Sequence, residues 1–262
     1  MMLQGRTILI TGASAGIGLA TARLLASHGA RLALISNQPV ELAALGQELG
    51  AFALEVDLTD PGQVEGLVER VERSVGPLDV LINNAGIGLH ATLLDTPPEK
   101  LRRVFEVNFF APVSLCRQAL ASMAERHRGH LINVSSASGR RGLARMSAYA
   151  PSKGALHIFS QVLRMEAASH GVKVTEVLPI SVQTDFFAAA ENRSGRDYRP
   201  RGLVHTSDYL ARCIYKAVLR PVPEVYPSFL SRLGFVFETA FPNLTARLLE
   251  AAERRSTPPK KA

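Results

Sequence analysis

The sequence has little cysteine and no long apolar run, and both shortages narrow what the chain can be. Only two cysteines occur in 262 residues, Cys116 and Cys213, and both lie in apolar, helix-like stretches without metal-ligand spacing. Two such cysteines do not argue for a disulfide framework, so we expect both to be packed thiols. No apolar run reaches the ~18 residues of a membrane-spanning helix.

A secretory signal and a dense basic block are also missing. The segment from Met1 to Arg6 has no charged region followed by a long apolar one, so we expect a cytoplasmic protein. The formal net charge is +7, but the basic residues are spread along the chain. Helices with basic, solvated faces are the common reason for such an excess. We therefore expect no nucleic-acid partner, and contact with a membrane surface is a less favoured alternative.

Apolar runs typical of strands alternate with longer helical patterns along most of the chain. A hydrophobic fraction of 47% and this length allow one domain with a sizeable core. The alternation predicts βαβ units and a doubly wound α/β fold, with a parallel sheet covered by helices on both faces. The predicted strands are 7–11, 31–36, 51–56, 79–83, 130–135 and 172–178. The predicted helices are 16–28, 39–49, 61–74, 97–124 and 149–170.

The pattern becomes irregular after residue 184, but no linker composition divides the chain. The elements predicted there are a polar loop at 191–202, a helix from Thr206 or Ser207 to about 219, a short strand at 223–227 and helical segments around Pro242. We expect a single domain over 1–262, with a core at about 5–227, a substrate loop at about 185–205 and a C-terminal helical extension at about 228–256.

A glycine-rich turn lies between the first predicted strand and the first predicted helix. Its sequence, from Thr11 to Gly18, has the spacing Gly-x3-Gly-x-Gly. Glycine permits close backbone approach and positive φ, and the amides and dipole at a helix N-terminus favour an anion. An ordinary tight turn is the alternative. The turn therefore predicts a phosphate cradle only if residues elsewhere support it.

Tyr149 and Lys153 are candidates for proton transfer. They lie four residues apart at the start of a predicted helix, and so share one face of it. An ammonium beside a phenol favours the phenolate, and such a tyrosine can exchange a proton with a substrate oxygen. Ser136 ends a predicted strand at the same edge of the sheet. The alternatives are a surface Tyr and Lys pair and a serine that caps a turn.

Taken together, these motifs make the chain resemble a short-chain dehydrogenase/reductase over residues 5–227. The motifs that carry the resemblance are Thr11-Gly12-x3-Gly16-x-Gly18, Asp57, Asn83-Asn84-Ala85-Gly86, Asn108, Ser136 and Tyr149-x3-Lys153. The resemblance implies a Rossmann-type fold and NAD(P)-dependent hydride transfer between nicotinamide and a ketone or secondary alcohol. It also implies a homodimer or homotetramer built through the helices at 97–124 and 149–170.

The resemblance assigns four catalytic residues. Tyr149 becomes the general acid/base, and Ser136 a hydrogen-bond partner of the substrate oxygen. Lys153 lowers the pKa of Tyr149 and binds the nicotinamide ribose, while Asn108 holds a water in a proton relay. The implied cofactor-binding residues are Gly12, Ser14, Ala15, Gly16, Ile17, Gly18, Ser36, Asn37, Asp57 near the adenine, Leu58, Asn84 with a role in stabilising the sheet, Ala85, Gly86, Tyr149, Lys153, Pro179, Val182 and Thr184. No metal site is expected.

Two positions depart from the family pattern. Ile180 follows Pro179 where relatives commonly have glycine, which places a side chain near the nicotinamide and leaves open a catalytically silent, NAD(P)-binding regulatory or scaffold protein. Ser36 and Asn37 stand where NAD-preferring relatives have an acidic residue. Without a carboxylate to repel a 2′-phosphate, NADP(H) is favoured over NAD(H), although the basic residue of many NADP users is absent at Asn37 and Ala15.

The substrate loop begins with apolar residues and continues with basic ones. This order favours a hydrophobic ketone that carries an anionic group, and solvated arginines are the alternative. The residues concerned are Phe186, Phe187, Arg193, Arg196, Arg199 and Arg201.

The C-terminal extension is open to three interpretations, in which it covers the pocket, packs in an oligomer or lies on a membrane surface. Packing within the protein is favoured.

Overall fold

The computed structural model describes residues 3–183, 186, 190–194 and 204–256. The chain divides into two compact units, one that ends at Pro227 and one that begins at Ser228. The single domain expected from the sequence over 1–262 stays a prediction.

The first unit is built on a sheet of seven parallel strands. In chain order the strands are β1 (Thr7–Thr11), β2 (Arg31–Ser36), β3 (Phe52–Glu55), β4 (Val80–Asn83), β5 (Leu89–His90), β6 (Gly129–Val134), β7 (Val172–Val177), β8 (Ser181–Gln183), β9 (Glu191–Asn192), β10 (Val204–Thr206) and β11 (Glu224–Val225). The central sheet has the order β11-β7-β6-β4-β1-β2-β3, and β5–β9 and β8–β10 form two further parallel pairs. The predicted doubly wound α/β sheet is confirmed, and so are its predicted strands.

The described helices of the first unit lie between these strands. They are α1 (Gly16–Ser27), α2 (Pro39–Leu49), α3 (Pro61–Val64), α4 (Leu67–Val75), α5 (Pro98–Phe105), α6 (Ala111–Glu125), α7 (Tyr149–Ala168) and α8 (Ser207–Leu219). Thr206 caps α8, because its hydroxyl accepts a hydrogen bond from the amide of Tyr209.

Three predicted elements were wrong in detail. The single helix at 61–74 is two helices, because Gly66 lies between them in the left-handed region with φ 65°. The helix at 97–124 is interrupted by a π-helical turn, Glu106–Phe110. The polar loop at 191–202 begins with strand β9, which pairs with β5. Two- and three-residue strands carry too few side chains to show a period in the sequence.

Apolar side chains on both faces of the sheet bury it between helices. Leu9 and Leu81 belong to a cluster that includes apolar residues of α4 and α6. Ile8 and Ile10, which point to the other face, belong to a cluster that includes apolar residues of α1 and α8. This burial explains why the strands read as continuous apolar runs rather than alternating ones. Because the strands are parallel, the residues that follow β1, β2, β4 and β6 meet at one edge.

Cys116 is buried, Cys213 is half-buried, and both are free thiols.

The second unit holds α9 (Phe229–Ala240) and α10 (Pro242–Ser256), which separate at Pro242. Apolar side chains of α9 are exposed, Phe229 and Leu230 among them. None of the helices in the described part of the chain has both the length and the apolar character to cross a membrane.

Candidate active site

Tyr149 and Lys153 lie one turn apart on the buried face of α7, as their spacing predicts. Tyr149 is 6% exposed and Lys153 is 3% exposed. The Lys153 ammonium donates a hydrogen bond of 2.9 Å to the main-chain oxygen of Val134, the last residue of β6. Burial lowers the pKa of Lys153 to about 8, and the carboxylate of Glu176 opposes that change. The helix therefore holds a cation and a phenol together in a place with little water.

Asn108 lies in the π-helical turn and is fully buried. Its side-chain amide accepts from the amide of Ile87 at 2.9 Å and donates to the carbonyl of Ile87 at 3.0 Å. It also donates to the hydroxyl of Ser152 at 3.0 Å, and Ser152 donates to the carbonyl of Tyr149 at 2.8 Å. Asn108 thus ties the segment after β4 to the first turn of α7. π-Helical turns occur frequently at functional sites.

The groups of the candidate site converge around Gly86. A Cβ built on Gly86 would lie 3.2 Å from Oδ1 of Asn108, 3.5 Å from Nζ of Lys153 and 3.8 Å from Cε2 of Phe186. The ring of Phe186 in turn lies 5.7 Å from the ring of Tyr149, centroid to centroid. A side chain at residue 86 would occupy the space that these groups share.

Ser136 follows β6 and is buried. Its hydroxyl oxygen accepts a hydrogen bond from the amide of Ser138 at 3.1 Å, so it caps the short 3₁₀ turn Ala137–Gly139. A Cβ on Gly139 would lie 2.6 Å from the carbonyl carbon of Lys153, which shows how closely this turn packs on α7. Capping fixes the position of Ser136 and uses a lone pair of its oxygen, not its hydrogen.

The glycine turn fits a dinucleotide pyrophosphate. Gly12 has φ +65°, and a Cβ on it would lie 2.8 Å from Cα of Ala85, while a Cβ on Gly18 would lie 2.0 Å from the carbonyl oxygen of Gly12. Only glycine permits these approaches. The N-terminus of α1, with Ala15, Gly16 and Ile17, has no side-chain cap. Its amides therefore remain for an anion, which the helix dipole also favours.

Asn84 holds the glycine turn against the end of β4. Its side-chain amide donates to the carbonyls of Thr11 at 3.0 Å and Gly12 at 3.1 Å. The Thr11 hydroxyl accepts from the main-chain amides of Asn84 and Ala85, both at 3.1 Å. The ends of β1 and β4 are thereby fixed to each other.

Three uncharged polar side chains meet after β2. Ser14 donates to Oε1 of Gln38 at 2.5 Å, and the hydroxyls of Ser14 and Ser36 are 2.7 Å apart. The amide of Gln38 donates to Ser36 at 3.2 Å. Asn37, not Gln38, is the candidate named from the sequence; both residues are exposed, and Gln38 makes the bonds to Ser14 and Ser36. Gln38 directly precedes α2, and this position between a strand and a helix could have added it to the cofactor-binding candidates.

The remaining cofactor-binding candidates lie near the same edge of the sheet. The main-chain amide and the hydroxyl of Thr59 both donate hydrogen bonds to Asp57. The pKa of Asp57 is lowered chiefly by the hydrogen bond from that amide, while burial opposes the change. Leu58 is buried beside it, and the carbonyl of Pro179 accepts from Ala137 at 2.8 Å. The other positions are Val182, buried in β8, Ile180, half-buried, and Thr184, which lies outside the described residues.

Phe186 forms part of an apolar wall beside Tyr149. Phe186 packs against Tyr149 and its neighbours Met146 and Ala150, which makes this wall apolar. Arg193 is paired with Glu191 at 2.6 Å. The candidates that lie outside the described residues are Phe187, Arg196, Arg199 and Arg201.

Comparisons with known proteins identify the family to which the chain is similar. The family profile described as "short chain dehydrogenase" matches residues 6–195. A bovine "Dehydrogenase/reductase SDR family member 7B" is 36% identical over 75% of this chain, and the match spans 64% of the bovine protein. A "Ketoacyl reductase HetN" from Nostoc sp. is 31% identical over 85% of this chain and 78% of its own length.

A solved structure is also similar. It is a short-chain dehydrogenase from Sphingobium yanoikuyae in complex with NADPH. Its TM-score is 0.79 at 28% identity, over 92% of this chain and 95% of the other.

Proposed function

This chain belongs to the short-chain dehydrogenase/reductase family of oxidoreductases, and we propose that it transfers a hydride between NAD(P) and a ketone or secondary alcohol. The observation that carries this proposal is the convergence of Asn108, Lys153 and Phe186 around Gly86, with Tyr149 against Phe186. A glycine turn that fits a dinucleotide lies at the same edge of the sheet. In this proposal the cofactor, when bound, supplies the hydride donor or acceptor.

Tyr149 acts as the general acid in carbonyl reduction and as the general base in alcohol oxidation. During reduction, negative charge grows on the substrate oxygen, and the phenol of Tyr149 gives that oxygen a proton. Ser136 can donate its hydroxyl hydrogen to the same oxygen, since its capping bond uses only a lone pair. The nearby Lys153 ammonium favours the phenolate that remains on Tyr149. The apolar ring of Phe186 helps to exclude water from this step.

NADP(H) is the favoured cofactor. Ser14, Ser36 and Gln38 form an uncharged, hydrogen-bonded group after β2, where a carboxylate would repel a 2′-phosphate. The NADPH in the similar Sphingobium structure supports the same preference. The expected roles of Asp57, Leu58, Asn84 and the other cofactor-binding residues remain part of this proposal.

The proposed substrate is a small, hydrophobic carbonyl or alcohol compound. The apolar wall of Met146, Tyr149, Ala150 and Phe186 supports this class. A homodimer or homotetramer is proposed because Ile158, Val162 and Met165 expose apolar side chains on α7. A cytoplasmic location is part of the proposal as well.

A panel of ketones and alcohols tests the proposal when each compound is assayed with NADPH and with NADH or the oxidised forms. Turnover is read from the absorbance of reduced nicotinamide. The proposal predicts turnover of a hydrophobic ketone or its alcohol, with NADPH the better cofactor. Tight cofactor binding without turnover across the panel would support the silent regulatory protein instead.

A further inference from the structure

The buried face of α7 carries a row of polar side chains where a helix packed on a sheet usually has apolar ones. Tyr149, Lys153, His157 and Ser160 follow each other at helical spacing, and each is at most 6% exposed. Buried polar groups are costly unless they have partners. Lys153 donates to the carbonyl of Val134. The hydroxyl of Ser160 accepts from the side-chain amide of Asn133 and donates to the carbonyl of Leu156.

His157 has an ionisable partner. Its Nδ1 lies 2.6 Å from Oε2 of Glu176, and its Nε2 lies 2.9 Å from the amide of Gln161. Glu176 is fully buried in β7, and its second oxygen, Oε1, has no hydrogen-bond partner among the described residues. A carboxylate in such a place needs a nearby positive charge.

Sheet register places Glu176 beside the strand residue that binds Lys153. Glu176 pairs with Asn133 of β6, and the next pair is Val177 with Val134, whose carbonyl accepts the bond from Lys153. Asn133 bonds to Ser160 of α7, so Asn133 and Glu176, as aligned partners, both face α7. Lys153 and His157 also lie on this one face of α7, one turn apart.

A second carboxylate lies directly opposite the first. Glu224 of β11 pairs with Glu176, and like charges in this arrangement repel. Tyr226 donates to Glu224 at 2.5 Å, and Arg140 lies 3.7 Å from it. His157, Glu176 and Glu224 bring ligand-type atoms within 4.8 Å of one another. Arg140 and Tyr226 thus bind Glu224, while His157 binds Glu176.

We propose that Glu176, held by His157, is a positioning residue that keeps the buried ammonium of Lys153 charged. The inference rests on the proposed function, because a charged Lys153 matters for a Tyr149 that exchanges protons. Burial pushes the Lys153 pKa down and Glu176 pushes it up. The other ionisable groups that face this cluster are Tyr149, His157, Glu224, Arg140 and Tyr226. Glu176 lies one residue pair from Val134, to which Lys153 bonds, and Glu224 lies one strand further away.

The test is an NMR titration of the full chain with ¹³Cε-labelled lysine, in which Lys153→Arg identifies the Lys153 signal. The variants are Glu176→Gln, Glu176→Asp, which keeps the charge, and the matched control Glu224→Gln, which removes the same charge one strand further away. We expect the Lys153 pKa to fall by about one pH unit in Glu176→Gln, clearly less in Glu224→Gln and little in Glu176→Asp.

An unchanged Lys153 pKa in Glu176→Gln, or an equal fall in both Gln variants, would overturn the inference. If Glu176→Gln does not fold, the wild-type chain still decides, since a Lys153 that is already neutral at pH 7 overturns it as well. The titration needs no turnover. A chain with the expected shift but no oxidoreductase activity would contradict the proposed function and leave the role of Glu176 standing.

Discussion

The ammonium of Lys153 bonds to the carbonyl of Val134, 2.9 Å away at the end of β6. Ser136 follows Val134 by two residues, so this bond joins the charged side chain of α7 to the segment that supplies the serine. The bond is buried, since Lys153 is only 3% exposed.

Lys153 should make stability depend on pH. Burial lowers its pKa to about 8 in the folded chain, from the usual value of about 10.4 when unfolded. Between these values the unfolded chain binds more protons, so a stability cost present below pH 8 is relieved as the pH rises. From pH 7 to pH 10, wild type should gain about 2 kcal/mol of unfolding free energy relative to Lys153→Met.

Urea unfolding of the two proteins at several pH values measures this difference. Lys153→Met is a suitable reference because it keeps an unbranched side chain and removes the titrating group. A difference in unfolding free energy that stays constant from pH 7 to pH 10 would contradict the burial of a charged lysine.

The glycine turn should tolerate no side chain at residue 18. A Cβ there would lie 2.0 Å from the carbonyl oxygen of Gly12 and 2.6 Å from the side-chain nitrogen Nδ2 of Asn84. Gly18→Ala must therefore displace the cradle. We expect a loss of cofactor affinity of at least about tenfold, or 1.4 kcal/mol, by calorimetric titration. Gly142→Ala is the matched control, since a Cβ on Gly142 has nothing within 4 Å. Equal affinities of the two variants would refute the cradle.

Ser36 should control the choice of cofactor. In Ser36→Asp a carboxylate replaces the hydroxyl that bonds to Ser14, and it should repel the 2′-phosphate of NADPH. The ratio of kcat/KM for NADPH to that for NADH should fall by at least about tenfold. Ser36→Ala removes the hydroxyl without adding charge and should change the ratio much less. If Ser36→Asp leaves the ratio unchanged, the cofactor phosphate is recognised elsewhere.

Much of the fold could be predicted from the sequence, because long parallel strands and helices carry clear periods. Strand β1 and helix α2 have the predicted limits. The break at Gly66 was missed, since a left-handed glycine in a helical pattern looks like any other small residue. The π-helical turn around Asn108 was missed because its extra residue depends on packing against the segment after β4.

The candidate site was predictable in its motifs and less so in its supports. The four catalytic candidates belong to the motifs that carry the family resemblance. They are Tyr149, Lys153, Ser136 and Asn108. Gln38 and Glu176 stand in no motif, and their contacts arise between segments distant in sequence. Only the fold reveals that Glu176 is buried beside the helix of Tyr149.

The most direct measurement is hydride transfer by Tyr149→Phe, with cofactor affinity measured on the same sample. The phenylalanine ring preserves the packing against Phe186 and removes only the proton-bearing oxygen. The account predicts a kcat about 10²- to 10⁴-fold lower, which is the usual contribution of general acid–base catalysis, with cofactor binding retained. Turnover equal to wild type would contradict Tyr149 as the acid/base.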